Sequence, residues 1–234
     1  MAKVGLVIPV LRNFEGACEL LASVKTQHEW TPYVMPQWRA QVPLAKAWND
    51  GAKQAFDEGC DYALICNDDI MFAPESIDNL IEQHEKLSKS DKVVMTTANN
   101  ILAQLPNKYD ILTYKTPPDP FTFSPHPNFS CLLIDKSYFN LIGTFDENFT
   151  PAWWEDNDAH YRIVLLGYQA ICTTASPIIH IGGVTSTLMP TPPDSGASQS
   201  YFYKKWGSIH RNLDEVFKTP YNDPRLTPKD WVQQ

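Results

Sequence analysis

Residues 3 to 10, KVGLVIPV, form an unbroken apolar and largely β-branched run. Continuity without alternation is how a strand reads when both faces of a parallel sheet are covered. A helix is expected from about Glu15 to Thr26. The segment 43 to 58 opens with Pro43 at a first helical position, and Leu44, Trp48, Gly51, Ala52 and Ala55 then fall on one stripe. Asp61 to Cys66 reads as another buried strand. A helix follows from Pro74 to about Leu87, with Ile77, Leu80, Ile81, His84 and Leu87 in register, and Lys92 to Thr97 supplies a further strand. This alternation predicts right-handed βαβ units and a mainly parallel sheet flanked by helices, an α/β fold that binds ligands at the carboxyl ends of its strands.

The second half is less regular. It carries a proline-rich loop (PPDPFTFSPHP, 117 to 127), a strand near Phe129 to Ile134, a helix from about Glu155 to Leu166, and strands near Tyr168 to Thr174 and Pro177 to Ile181. After Gly183 a tail with one or two short helices is expected. The prolines at 117 to 127 and in PTPP at 190 to 193 suit loops or lids over a scaffold.

Composition narrows the functional classes. The 234 residues hold 19 basic and 27 acidic side chains, a formal charge of −8, which opposes wholesale coating of a nucleic-acid backbone. Cys18, Cys60, Cys66, Cys131 and Cys172 show no CxxC spacing, so neither a disulfide framework nor a thiolate zinc site is expected, and the thiols fit a reducing compartment. Val4 to Leu11 is too short to span a bilayer and lacks a signal-peptide pattern. A soluble cytoplasmic protein with no membrane span is the expectation.

Two acidic clusters carry candidate chemistry. Asn67, Asp68 and Asp69 stand where a buried strand ends; they suit either a plain turn or a carboxylate that holds a hard divalent cation over phosphate oxygens. Glu155, Asp156 and Asp158 open a helix, where acids complement the dipole and Asp158 pairs with Arg162 one turn on. That account leaves Trp153 and Trp154, just before them, unexplained; flat rings there suit the apolar face of a sugar, although large aromatics are commonly core. His180, at the end of IIHIGGVTS, is either a satisfied core histidine or a metal ligand. Lys204 and Lys205 lie either on a solvated helix face or on a lid closing over diphosphate.

Taken together, these stretches resemble GT-A, family-2-type inverting glycosyltransferases. Asn49, Gly51 and Ala55 match an Asn-x-Gly-x-x-x-Ala helix that leads into a strand ending in a DxD-like motif, here Asn67-Asp68-Asp69. Gly143, Phe145, Asp146, Glu147, Glu155, Asp156, Asp158, Arg162 and Gly167 match a G-x-FDE … ED-x-D … R … G signature, and His180 with Gly182 and Gly183 resembles the same family's H-x-G-G-x-S pattern. The resemblance implies Asp156 as catalytic base with Glu155 orienting it or the acceptor, and Asp69 and His180 as ligands of Mn²⁺ or Mg²⁺. It further implies Pro9, Val10, Arg12, Asn49, Asn67, Asp68, Lys204 and Lys205 around the donor, and Trp153 and Trp154 as sugar platforms. A UDP-sugar is the implied donor, with dTDP- or GDP-sugars open. Glycan, protein and modified DNA base are all compatible acceptors.

By the same resemblance, residues 1 to 186 form the transferase domain, divided into a nucleotide-binding half (1 to 100) and an acceptor half (101 to 186), with 187 to 234 packing on or capping the site. Small soluble transferases of viruses and phages are similar in build, which would place the protein in the host cytoplasm. One departure stands out. Where the family's second strand ends in an Asp-containing turn that reads the nucleobase, this chain has Pro36, Gln37, Trp38 and Arg39. Two other functions compete: a sugar nucleotidyltransferase, which should show a Gly-rich basic loop after the first strand where VLRNFEG stands, and a non-catalytic glycan-binding module, which needs no base.

Overall fold

The computed structural model describes residues 1–37, 42–118, 121–124, 127–189 and 194–206. Trp38, Arg39 and the PTPP stretch lie outside them. The elements in chain order are β1 (Lys3–Val10), α1 (Phe14–Ser23), β2 (Glu29–Pro36), α2 (Leu44–Asp57), β3 (Tyr62–Cys66), β4 (Ile70–Phe72), α3 (Ser76–Ser90) and β5 (Val93–Asn100). They continue with β6 (Phe123–Ser124), β7 (Cys131–Asp135), α4 (Ser137–Leu141), α5 (Glu155–Leu165), β8 (Gln169–His180), α6 (Val184–Thr187) and α7 (Gly196–Trp206).

The strands form one sheet in the order β2-β1-β3-β7-β5-β8-β4, with β6 paired to β8. The apolar runs explain its depth. Along β1, Val7 enters a core layer with Trp48, Ala52 and Ala55 of α2, while Leu6 and Ile8 enter the opposite layer with Leu20 of α1 and Leu80 of α3. The small residues of α2 set its closeness to the sheet: a Cβ on Gly51 would lie 2.4 Å from Val7 Cγ1, and one on Gly5 2.3 Å from Ala55 Cβ. The Asn-x-Gly-x-x-x-Ala pattern is therefore, at Gly51 and Ala55, a packing device.

The antiparallel part is larger than the alternation predicts. The pairs β1–β2, β1–β3 and β5–β8 are parallel, but β7 runs antiparallel between β3 and β5, and β4 and β6 pair antiparallel with β8. A five-residue apolar run such as CLLID is equally comfortable in either direction, and the long excursion after β5 reverses the chain. The two strands expected at 168 to 174 and 177 to 181 are one strand, β8. Its register against β5 jumps from Ala98↔Thr173 to Asn99↔Pro177, a bulge that leaves Thr174, Ala175 and Ser176 without a partner on β5 just before Pro177, which has no N–H to give the ladder. Among the described residues, no helix is long and apolar enough to cross a membrane.

Candidate active site

The acidic turn follows β3 and is fixed from three sides. Asn13 caps α1 by accepting from Gly16 N at 3.1 Å, and its Nδ2 donates to Asp68 O at 3.0 Å. Thr185 Oγ1 of α6 donates to Asp68 Oδ1 at 3.1 Å, and the Gly182 N–H donates to Asp69 Oδ2 at 2.9 Å. Because Ile70 of β4 pairs with His180 of β8, the imidazole is carried to the turn, with Nε2 3.1 Å from Asp69 Oδ1 and 3.3 Å from Asn67 Nδ2. Burial pushes the Asp68 carboxyl up to about 6; the hydrogen bond from Asn13 opposes this and the neighbouring Asp69 charge adds to it.

Gly16 holds this arrangement by having no side chain. A Cβ there would sit 2.2 Å from Asn13 Nδ2 and 2.3 Å from Asp68 O, and a backbone carbonyl cannot swing away. Gly16→Ala is therefore expected to cost about 1–3 kcal/mol of stability and to weaken metal-dependent binding of nucleoside diphosphate. Urea unfolding together with titration calorimetry checks this, and wild-type values on both would refute it.

The second cluster opens α5. Trp153 and Trp154 both have φ of +72°, a left-handed conformation unusual for bulky residues, and the helix starts directly after them. Glu155 is 3% exposed, and its Oε2 has no hydrogen-bond partner. Burial drives its carboxyl well above the usual range, with the Asp156 charge adding to the effect. Asp156 is raised by burial too, against hydrogen bonds that its Oδ1 accepts from Asn157 N (2.7 Å) and Nδ2 (3.0 Å). Behind them Asp158 and Arg162 form a fully buried pair at 3.0 Å, and Arg162 Nη1 donates to Ile142 O at 2.9 Å.

The two clusters meet. A cleft of about 720 Å³ has Pro9, Leu11 and Gln37 among its wall residues together with Asp68, Asp69 and His180. A pocket of about 380 Å³ is lined by Glu155 and Asp156, and Leu44, Asn67, Ala152, Trp153 and His180 border both spaces. Trp153 is thus among the residues shared by a cavity with the acidic turn and a cavity with the paired carboxyls.

Several expected donor and sugar contacts lie elsewhere. Val10 is buried in the core, and Arg12 is exposed outside both cavities. Asn49 is occupied: its Nδ2 donates to Phe145 O at 2.8 Å and its Oδ1 accepts from Phe145 N at 2.9 Å, which ties α2 to the loop before α5. Trp154 turns away from the cavities and packs on Phe202 and Tyr203 of α7, with centroids 5.0 and 5.8 Å apart. Lys205 pairs with Asp146 at 2.7 Å and Asp158 at 2.8 Å, because α7 lies along α5 rather than over the cleft. Lys204 is exposed and borders neither cavity. Asn13 and Thr185, by contrast, were not singled out from the sequence; the cap preference of an Asn before a helix was the available signal for the first.

Among the described residues there is no group of three or more His, Cys, Asp or Glu able to hold a metal. Asp69 and His180 are a pair only, the partial ligand set that Mg²⁺ or Mn²⁺ completes with substrate phosphates and water. No Lys or Arg among the described residues lines either cavity, so a diphosphate lying there would find its countercharge in such a cation. The donor set therefore fits a divalent metal shared with substrate.

No protein-family model matches the chain. It is similar to the galactofuranosyl glycosyltransferase of Leishmania donovani, at 24% identity over 59% of this chain and 41% of that protein; the chain thus spans about two fifths of that relative. Among solved structures it is similar to GalNAc-T7 with UDP, GalNAc and Mn²⁺, with a TM-score of 0.58 and 14% identity over 94% of this chain and 55% of that one. The catalytic domain of Drosophila β1,4-galactosyltransferase 7 in complex with xylobiose gives a TM-score of 0.56 and 17% identity, covering 83% and 76%. The chain has the GT-A glycosyltransferase fold.

Proposed function

We propose that this chain transfers a glycosyl group from a nucleotide-diphosphate sugar to an acceptor hydroxyl, with inversion at the anomeric carbon. The observation that supports this most is the adjacency of the Asn67–Asp69 turn and the Glu155–Asp156 pair across a shared wall. Asp156, ionised, takes the proton of the attacking hydroxyl as the new carbon–oxygen bond forms. The bond to the diphosphate breaks, and its electron pair leaves on the phosphate oxygen from the opposite face. Asp69 and His180 would hold Mn²⁺ or Mg²⁺, which supplies charge neutralisation for the leaving diphosphate. A UDP-sugar is the proposed donor, in keeping with the UDP and Mn²⁺ bound by GalNAc-T7, and the described residues beyond 186 are proposed to brace the site.

The deciding experiment is UDP release from UDP-sugars with and without Mn²⁺, alongside thermal shifts with UDP, since a ligand of the native state raises apparent stability by mass action. Asp69→Ala and His180→Ala are each expected to weaken Mn²⁺-dependent UDP binding about 10- to 100-fold, the loss typical of disturbed metal surroundings. An unchanged Mn²⁺ titration in either variant would remove that residue from the metal. The anomeric configuration of the product, read by NMR, tests inversion.

A further inference from the structure

Most polar side chains that line the pocket with Asp156 already have partners. Asn67 Nδ2 faces His180 Nε2 at 3.3 Å, and Ser130 donates through Oγ to Asn128 Oδ1 at 2.7 Å. Asp156 is half-buried, and Asn157 occupies only its Oδ1, which leaves Oδ2 as an acceptor without a partner among the described residues. Asn128 is the complementary case. It lines the same pocket half-buried, and its Nδ2 has no partner among the described residues and is not sealed in as Trp48 Nε1 is.

The chain holds this amide still. Asn128 N donates to Thr97 Oγ1 at 2.8 Å, its carbonyl accepts from Cys131 N at 3.3 Å, and its Oδ1 accepts from Ser130 N at 3.1 Å as well as from Ser130 Oγ. Thr97 belongs to β5 and Cys131 to β7, so the residue is tied to two strands of the sheet. Flipping the carboxamide would set its NH₂ against the Ser130 N–H, which fixes Nδ2 as the free end. An amide nitrogen gives hydrogens and accepts none. It therefore complements Asp156: one group takes a proton, and the other offers hydrogen bonds to an oxygen.

Resting on the glycosyl-transfer reading above, we infer that Asn128 is a specificity-determining residue for the acceptor: its Nδ2 donates to an acceptor oxygen next to the one that attacks, and so sets which hydroxyl reaches Asp156. A donor on the attacking oxygen itself would draw on the electron pair that forms the new bond, so the contact falls on the neighbour. That neighbour keeps its bonds throughout. The contact is the same before and during the reaction, so it acts on KM more than on kcat.

The test follows UDP release from UDP-hexoses by the full chain with Mn²⁺, alone and with a panel of p-nitrophenyl hexosides and their monodeoxy analogues. Asn128→Asp is the informative variant, because its carboxylate keeps an oxygen for Ser130 and exchanges the N–H donors for a second acceptor. At a pH where Asp156 is ionised, KM for the hexoside that most stimulates UDP release should rise about tenfold or more, with a smaller change in kcat. Mn²⁺-dependent UDP affinity should stay within about threefold. One monodeoxy analogue should cost the wild type a similar factor and the variant little, the coupling expected of two groups in contact. A brace that never touches substrate would survive in Asn128→Asp, so an unchanged KM there would overturn the inference alone, as would an enzyme that hydrolyses donor and is stimulated by no hexoside. Absence of both UDP binding and donor hydrolysis would remove the glycosyl-transfer reading and this inference with it. If Asn128→Asp does not fold, the wild type decides by ¹H–¹⁵N NMR with UDP and Mg²⁺: the Asn128 carboxamide pair should shift when that hexoside is added, and an unmoved pair counts against the contact.

Discussion

Asp156→Asn is expected to lower kcat about a hundred- to ten-thousand-fold, the range over which a positioned general base contributes. The amide keeps the shape of the side chain but cannot take a proton, so Mn²⁺-dependent UDP affinity should stay within about threefold. The pH profile offers a second check. Burial raises the Asp156 carboxyl, and the base works only when ionised, so kcat/KM should fall as pH drops through that raised value. The acid limb then lies above the ordinary carboxylate range, and the residual rate of the Asn variant should lose it. Burial and the neighbouring Asp156 charge push the Glu155 carboxyl well above the usual range as well. Equal loss of turnover and of UDP affinity would reassign Asp156 to binding, and an unmoved limb would give the proton to another group.

Asp158→Ala should produce the largest loss of stability. The residue is wholly buried, pairs with Arg162 and Lys205, and accepts from Trp206 Nε1 at 2.8 Å. Removing one side of a buried ion pair leaves the other charge without compensation, at a cost of roughly 3–5 kcal/mol. For a chain of this size that corresponds to a fall in Tm of roughly 6–20 °C. Scanning calorimetry would measure it, and a fall of under about 2 °C would mean that α5 and α7 are held chiefly by their apolar contacts. Since two of the lost contacts, to Lys205 and Trp206, are with α7, that helix should loosen before the sheet does.

What was legible in the chain was what lies close together in it. The helix of small residues, the strand after it and the acidic turn are contiguous, and each has its own periodicity or turn chemistry, so they read in order. The braces of that turn are not contiguous: Asn13 reaches Asp68 across 55 positions and Thr185 across 117. Residue type also misled where topology decides. Asn49, Trp154 and Lys205 have side chains suited to sugars or phosphates, yet Phe145, Phe202 and Asp146, none of which borders either cavity, claim them. The direction of β7 was hidden for a simpler reason: burial on both faces erases the alternation that would report which neighbours a strand meets.

Trp153 occupies a left-handed backbone that glycine adopts freely, and it also lines both cavities. The peptide and the ring thus ask for opposite residues at one position. A glycine there would relieve a conformational penalty of order 1–3 kcal/mol but would remove the indole from the lining that the acidic turn's cleft and the Glu155–Asp156 pocket share.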